Sequence, residues 1–285
     1  MGRVLVTGAA GNIGLYVVRE LVKKGENVTA GVYSMEKAKE IFSNMEITIV
    51  PFDFLNTDTF EEALEGVDKV FLVRPPKLAK PKEDMKPFLN AVKEKGIKQI
   101  VFVSLMGVEK NPFVPHRKIE DMIMAMGIDY TFLRPSFFMQ NLNTTHQEDI
   151  KLRNELYMPV GKAKTSFIDT RDIASVAAVC LTENGHLGKS YTLTGSEALD
   201  YYKVGEILSE VLNRSIHYKN PGVLEFRKTL VKRGTKKEFA NVMTMLYLLT
   251  KMKTAEKVTT DTKKLLGRNP ITFKEYANDY KSSWC

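Results

Sequence analysis

Apolar runs and helix-spaced apolar patterns alternate through the first half of the chain. Runs of this kind are typical of strands buried on both faces of a parallel sheet, and the intervening patterns predict the crossover helices. The six predicted strands are Val4–Thr7, Asn27–Tyr33, Ile47–Val50, Asp68–Val73, Gln99–Val103 and Tyr130–Leu133. The predicted helices are Leu15–Val22, Met35–Ser43, Thr57–Leu64, Lys82–Lys95 and Pro115–Met126. The pattern therefore predicts an α/β protein with a Rossmann-like doubly wound parallel sheet and helices on both faces.

The second half is less regular and mainly helical. Its predicted short strands are Thr165–Ile168, Ser190–Leu193 and Ile216–Lys219. Its predicted helices are Thr170–Leu181, Tyr202–Leu212 and, roughly, residues 223–233, 236–252, 260–266 and 272–281. We expect one unit over residues 1–285, with a dinucleotide-binding core at 1–135 and a smaller, mainly helical substrate-binding cap at 136–285. The cap is expected to fold onto the carboxyl edge of the sheet, where such folds bind ligands.

The first strand runs into a glycine turn from which the first helix emerges. In dinucleotide-binding folds this arrangement lets the backbone approach a pyrophosphate at the helix N-terminus. An ordinary strand–helix turn is the alternative, although the position directly after a strand and before a helix strengthens the motif. The cofactor-binding candidates of this turn are Thr7, Gly8, Ala10, Gly11, Asn12, Ile13 and Gly14.

The carboxyl ends of the later strands supply further candidate cofactor contacts. Strand two ends without Asp or Arg, so the Ser34 hydroxyl and Lys37 are candidates for binding a ribose 2′-phosphate. This favours NADP(H) and leaves NAD(H) open, and an exposed helix lysine is the alternative for Lys37. Asp53 is expected to contact adenine or to cap a turn, and Arg74 to meet phosphate, substrate or a surface carboxylate. The other candidates at strand ends are Tyr33, Phe54 (beside the adenine ring), Val73, Ser104 and Pro135.

The composition describes a folded protein that needs no cross-links. Of 285 residues 44% are hydrophobic, and Cys180 and Cys285 are the two cysteines, without partners at metal-ligand spacing. We therefore expect no metal and a reducing, cytoplasmic location. No apolar run approaches the roughly 20 residues that span a bilayer, and we expect no signal peptide because the chain enters its first strand directly.

The net charge of +8 is concentrated partly in the second half. Basic residues there alternate with apolar residues at helical spacing, which is typical of a solvated helix face, and no nucleic-acid motif accompanies them. These residues are Lys219, Arg227, Lys228, Lys232, Arg233, Lys236 and Lys237. We expect a small-molecule substrate and neither nucleic acid nor a membrane as partner.

Several segments resemble the NmrA-like group of atypical short-chain dehydrogenases. The glycine turn is similar to the glycine motif of the extended and atypical members, and Leu133–Asn141, Phe167–Ala174 and Leu266–Phe273 are similar to later segments of the group. The resemblance spans nearly the whole chain. It implies an NAD(P)-binding protein in a group that includes quinone, dye, iminium and phenylpropanoid reductases, and catalytically silent redox sensors.

Short-chain dehydrogenases usually carry a serine together with a tyrosine and, after three intervening residues, a lysine. That spacing occurs at Tyr33 with Lys37 and at Tyr247 with Lys251. Neither pair follows strand five, where the resemblance would place the catalytic tyrosine, and there is no tyrosine between residues 104 and 126. We therefore interpret both pairs as chance.

Two residues after strand five are the candidate catalytic groups. Ser104 stands at the usual Ser/Thr position, and His116 stands where family members with a functional lysine or histidine carry it. Histidine titrates near neutrality, so His116 is expected to donate a proton or to hydrogen-bond a developing oxyanion. The alternatives are a strand-end serine that holds only the cofactor and a histidine that caps the helix or touches the nicotinamide ribose.

Two functional hypotheses follow. The first is an NAD(P)H-dependent reductase that transfers hydride to a flat conjugated molecule such as a quinone, whose delocalised system needs no dedicated side-chain acid. Its candidate substrate-binding residues are Phe113, Phe137, Phe138 and Asn141. The alternative is that the phenylalanines belong to the core and that Asn141 braces its loop. The second is a silent NAD(P)-binding sensor that acts through a protein partner.

Overall fold

The computed structural model describes residues 2–78 and 80–285. Seven of its strands form one sheet in the order β3-β2-β1-β4-β5-β6-β8, and every neighbouring pair is parallel. These strands are β1 (Arg3–Thr7), β2 (Asn27–Val32), β3 (Thr48–Pro51), β4 (Val67–Val73), β5 (Gln99–Val103), β6 (Tyr130–Pro135) and β8 (Lys189–Leu193). The strand order reverses direction at β1, so a crevice for ligands is expected at its carboxyl end. The doubly wound α/β prediction is confirmed.

A second, two-stranded parallel sheet pairs β7 (Glu155–Tyr157) with β9 (His217–Lys219). The helices that follow β1 to β5 are α1 (Gly14–Lys23), α2 (Met35–Ile41), α3 (Phe60–Ala63), α4 (Pro81–Asp84), α5 (Lys86–Glu94) and α6 (Pro115–Ala125). The later helices are α7 (Gln147–Arg153), α8 (Thr170–Thr182), α9 (Tyr201–Leu212), α10 (Val223–Lys232), α11 (Lys237–Lys251), α12 (Asp261–Leu266) and α13 (Phe273–Asp279).

The chain divides into two compact units. The first contains the residues up to Pro135 together with Thr170–Leu193 and Lys264–Gly267, and it holds the whole seven-stranded sheet. The second contains Ser136–Asp169, Thr194–Lys263 and Arg268–Cys285. The first unit thus extends beyond the expected core of residues 1–135, because α8 and β8 return to the sheet.

Each unit has its own apolar core. In the first unit, Phe52, Phe54, Phe60 and Phe88 form a cluster whose ring centroids lie 4.8–5.9 Å apart. Edge-to-face pairs of this kind stabilise a core beyond the area that they bury. In the second unit the Trp284 ring is completely buried, and its Nε1–H donates to the Leu142 carbonyl at 3.0 Å.

The sequence-based secondary structure omitted α7 and β7, and three of its other details are wrong. The predicted strand Thr165–Ile168 is two isolated bridges, because Thr165 pairs with Leu199 while Ile168 pairs with Phe138. The predicted helix Lys82–Lys95 divides into α4 and α5 around Met85, since Pro87 has no N–H for the helix ladder. The predicted short strand Ser190–Leu193 is β8, but the six-strand prediction left it out of the main sheet, where it pairs with β6 at the edge.

Candidate functional site

The glycine turn joins β1 to α1 at the point where the strand order reverses. Gly8 has a φ of +61°, a conformation that glycine adopts without strain. A Cβ atom on Gly14 would lie 2.2 Å from the Gly8 carbonyl oxygen, so only glycine lets the helix pack this closely on the strand end. The Gly11 N–H closes the turn by donating to Gly8 O at 2.9 Å.

The turn presents backbone to solvent. Gly8, Ala10, Gly11 and Asn12 are exposed. Helix α1 begins at Gly14 with no side-chain cap and no acidic residue in its first turn. An uncapped helix start below an exposed glycine loop is suited to an anion such as a pyrophosphate.

Thr7, Ile13 and Gly14 support this turn from beneath, since all three are buried. The Thr7 hydroxyl donates to Phe71 O at 3.1 Å and accepts from the Val73 N–H at 3.0 Å. It therefore fixes the end of β1 to β4, and Val73 lies at this junction. The proposed role of the Thr7 side chain in the site is to position the turn.

The end of β2 carries an exposed, positively charged group of side chains. Tyr33 is 79% exposed, and the Lys77 ammonium lies 5.2 Å from the centre of its ring. Ser34 is the N-cap of α2 but makes no side-chain capping hydrogen bond, and Lys37 is exposed on that helix. Sequence reasoning missed Lys77. It follows the Pro75-Pro76 break after β4, and the parallel sheet places the ends of β4 and β2 at one edge.

Asp53 and Phe54 are engaged in local structure. The Asp53 carboxylate accepts the Leu55 N–H at 3.0 Å, which is the turn-capping alternative that the sequence had left open. The Phe54 ring is buried 4.8 Å from the Phe52 ring and 5.4 Å from the Phe88 ring. The expected position of the Phe54 ring beside an adenine is therefore wrong, because the ring is part of the core.

Arg74 folds back onto its own loop. Its Nη1 donates to the carbonyl oxygens of Pro75 at 3.0 Å, Pro76 at 3.2 Å and Leu78 at 2.6 Å. Burial lowers the pKa of this guanidinium. In the structure Arg74 holds the loop after β4, and its expected contact with phosphate, substrate or a surface carboxylate stays a prediction.

Ser104 ends β5 with its hydroxyl buried. The residue is 4% exposed, and its backbone N–H donates to Leu133 O at 2.7 Å. Its Oγ atom has no hydrogen-bond partner among the described residues. A buried hydroxyl without a partner costs about 1–3 kcal/mol, so such a group marks a position that gains from an external partner.

His116 lies in the first turn of α6, with its ring stacked on Phe102 at a centroid distance of 6.0 Å. Burial, and the nearby charge of Arg74, lower the pKa of His116 to about 3. The expectation that it titrates near neutrality is therefore wrong. At pH 7 it is a neutral imidazole with one N–H donor and one acceptor nitrogen.

The candidate substrate residues are divided between the two units. Phe113, in the first unit, is 83% exposed. Phe137, Phe138 and Asn141, in the second unit, are half-buried. The Phe137 ring stacks on Tyr247 at 5.9 Å. Pro135 is buried at the end of β6, where its carbonyl accepts the Met106 N–H at 2.9 Å.

The parallel sheet and its glycine turn define a Rossmann-like α/β protein. The sequence model of the NmrA-like family matches residues 1–277, and the chain belongs to this family. The resemblance stated from the sequence is thereby confirmed.

Two curated relatives match almost the whole chain. Prestalk A differentiation protein A of Dictyostelium discoideum is 29% identical over 278 residues, which cover 97% of this chain and 91% of the relative. An NAD(P)H azoreductase of Xenophilus azovorans is 32% identical over 288 residues, which cover 99% of each chain. Among solved structures, NADPH-dependent quinone oxidoreductase of Escherichia coli in complex with NADPH has a TM-score of 0.88 at 24% identity, covering 98% of this chain and 99% of that chain. At 24% identity, the similarity to this solved structure shows the fold alone.

Proposed function

We propose that this chain transfers hydride from NADP(H) to a flat, conjugated small molecule such as a quinone. Its broader class is NAD(P)H-dependent oxidoreductase of the NmrA-like family, supported by the full-length azoreductase relative. The dinucleotide, when bound, supplies the hydride, and the residues of this chain bind and orient it.

The residues of the first unit fit such a cofactor. The exposed backbone at Gly8–Asn12 and the uncapped start of α1 would hold the pyrophosphate. Ser34, Lys37 and Lys77 would hold a ribose 2′-phosphate, since no carboxylate ends β2. Two lysines at this end of the sheet favour NADP(H) over NAD(H).

The observation that carries the proposal is the unpartnered Ser104 hydroxyl. It lies at the carboxyl end of β5, three strands along the sheet from β2, at the usual Ser/Thr position that the resemblance implies. The Oγ–H would donate to the nicotinamide or to the acceptor oxygen. That bond would satisfy a group that the folded chain leaves without a partner.

The kind of acceptor that we propose follows from the side chains available to donate a proton to it. His116 is uncharged at neutral pH, so it has no acidic proton to transfer. Of the two Tyr/Lys pairs, Tyr33 is exposed after β2, and Tyr247 is buried in the second unit with its hydroxyl hydrogen-bonded to His146. A conjugated acceptor takes up electron density over its whole ring system, and water can then supply the proton.

Steady-state oxidation of NADPH against a panel of quinones, azo dyes and triphenylmethane dyes tests this function, with NADH measured in parallel. The expected result is acceptor-dependent oxidation well above the protein-free rate, with NADPH preferred. Dinucleotide binding without turnover of any acceptor would instead support the sensor. If neither dinucleotide binds at micromolar concentration, both functions are wrong.

A further inference from the structure

Helix α11 exposes an apolar face. Its inward residues Ala240, Met243, Tyr247 and Thr250 recur every three or four positions and are buried. The opposite face of an ordinary surface helix is polar. Here much of the exposed side is apolar, although Glu238 and Asn241 are also exposed, and we call this group of apolar side chains the α11 face. It consists of Phe239, Val242, Met245, Leu246, Leu248 and, just beyond the helix, Met252.

Positive charge surrounds this face. Residues 223–253 contain eight basic and two acidic side chains, in a chain whose total net charge is +8. Arg233 is engaged by Asp149 and Glu155, at 2.7 and 2.9 Å. The lysines of this segment are exposed, namely Lys228, Lys232, Lys236, Lys237, Lys251 and Lys253. The sequence predicted a solvated face of basic residues, and in the structure apolar side chains are exposed beside them.

The positive charge around the α11 face decides which partner would cover it. A two-fold contact between copies of this chain would set the α11 face against itself and bring like charges together. An anionic surface would instead pair with the lysines while the apolar side chains leave water. Apolar residues flanked by lysines are the composition of helices that lie in the interface of anionic membranes.

A cavity of about 390 Å³ lies at the N-terminal end of α11. Leu230, Phe239 and Met243 provide apolar walls, and the lysine of its lining is Lys236; Thr145 and Thr235 complete the lining. This combination suits an apolar chain with an anionic head. The cavity and the apolar face therefore indicate the same chemistry, that of an anionic lipid.

We propose that α11 docks on the surface of membranes that contain anionic lipids. The α11 face enters the boundary between headgroups and acyl chains, and the surrounding lysines contact lipid phosphates. None of the helices in residues 2–78 and 80–285 is long and apolar enough to cross a membrane. The proposal replaces the expectation of no membrane partner, and it holds whether or not the chain is a reductase.

Vesicle flotation tests the docking with the full-length chain. The probes are phosphatidylcholine vesicles with and without about one third phosphatidylglycerol, at low and high salt. Binding is expected for the anionic vesicles at low salt. Met245→Glu, on the α11 face, and the pair Lys236→Glu with Lys237→Glu should each reduce the bound fraction at least about tenfold.

Matched variants separate this effect from a general loss of apolar or basic surface. Leu187, in the first unit, is 51% exposed, close to the 58% of Met245, so Leu187→Glu should leave binding unchanged. The pair Lys93→Glu with Lys189→Glu is the charge control, and thermal melts verify that all variants are folded.

Three results would overturn the proposal. One is no flotation of the wild type with either vesicle, and another is an equal loss in the control variants. The third is a wild-type dimer in analytical ultracentrifugation that Met245→Glu dissociates, which would assign the face to a second copy. NADPH oxidation with a water-soluble quinone, measured without vesicles, reports the proposed reductase separately.

Discussion

At the residue scale, a substitution at Ser104 tests whether its hydroxyl serves function or stability. Because its buried Oγ has no partner in the described residues, Ser104→Ala removes an unsatisfied hydroxyl and should leave the free energy of unfolding unchanged or raise it by up to about 1–3 kcal/mol. The same variant should lower kcat/KM for NADPH and a quinone by about fivefold, through one lost hydrogen bond. Urea unfolding and steady-state kinetics measure the two quantities.

Ser166→Ala is the matched control for this variant. The Ser166 hydroxyl is also buried but is bonded to Ser136 Oγ and to Ala255 O, both at 3.1 Å. Its loss should cost about 1 kcal/mol of stability. A Ser104→Ala variant that is destabilised like Ser166→Ala, with unchanged kinetics, would assign Ser104 a purely structural role.

The lowered pKa of His116 predicts that the free energy of unfolding falls as the pH falls below about 6.5. Its pKa is about 3 in the folded chain against 6.5 ordinarily, so the unfolded chain binds the proton first. The contribution to stability is complete above about pH 6.5 and is lost as the pH falls toward 3, by up to about 1.4 kcal/mol per pH unit.

The His116→Gln variant tests that sign. Urea unfolding at about pH 7, 6 and 5 should show a shallower loss of stability for the variant than for the wild type. Equal slopes would mean that the pKa of His116 is not lowered in the folded chain.

Lys37 and Lys77 bear on the choice of cofactor. If both contact a 2′-phosphate, Lys37→Ala and Lys77→Ala should each raise the KM for NADPH several-fold, because a charge-assisted hydrogen bond contributes about 1.5–3 kcal/mol when formed. The KM for NADH should not change. Lys39→Ala, on the same helix α2, is the control, and a KM for NADH that rises equally would contradict the assignment.

At the scale of elements, one buried ion pair ties α6 to β6. Glu120 is fully buried and accepts from Arg134 through both oxygens, at 3.1 and 2.8 Å. Arg134→Leu removes both of these bonds and leaves the Glu120 carboxylate with the Arg117 guanidinium at 3.9 Å, which should cost up to about 3–5 kcal/mol in urea unfolding. Lys24→Leu removes a pair whose side chains are 36% and 55% exposed, and it should cost less than about 1 kcal/mol. Similar costs for both variants would contradict this account.

The elements that sequence reasoning predicted well are those that carry their own periodicity. Strand β5 matches its predicted range Gln99–Val103, since all five residues are apolar or buried. Strand β8 was predicted as the short strand Ser190–Leu193 but not as part of the main sheet, because all but one of its residues lie partly open at the sheet edge beside β6. Thr165–Ile168 has the composition of a strand, but its β-bridge partners lie on two different segments, which composition does not reveal.

At the scale of the whole molecule, local motifs were predictable and side-chain partners were not. The glycine turn could be located because its chemistry depends on consecutive residues. The clamp made by Arg74, the core packing of Phe54 and the lowered pKa of His116 depend on residues far apart in sequence. The apolar exposure of α11 was missed for the same reason, since a helical pattern does not say which stripe meets a core.

The most direct test of the account is NADPH oxidation by wild type and Gly11→Val with a water-soluble quinone. Gly11 is exposed in the turn, and its added Cβ would lie 3.1 Å from Gly8 O, so the fold should survive while the branched side chain occupies the path of the pyrophosphate. Rapid quinone-dependent oxidation by the wild type and none above the protein-free rate by a folded Gly11→Val is the predicted result. Equal rates in the two proteins would contradict the placement of the cofactor, and no turnover by the wild type with any acceptor would contradict the reductase.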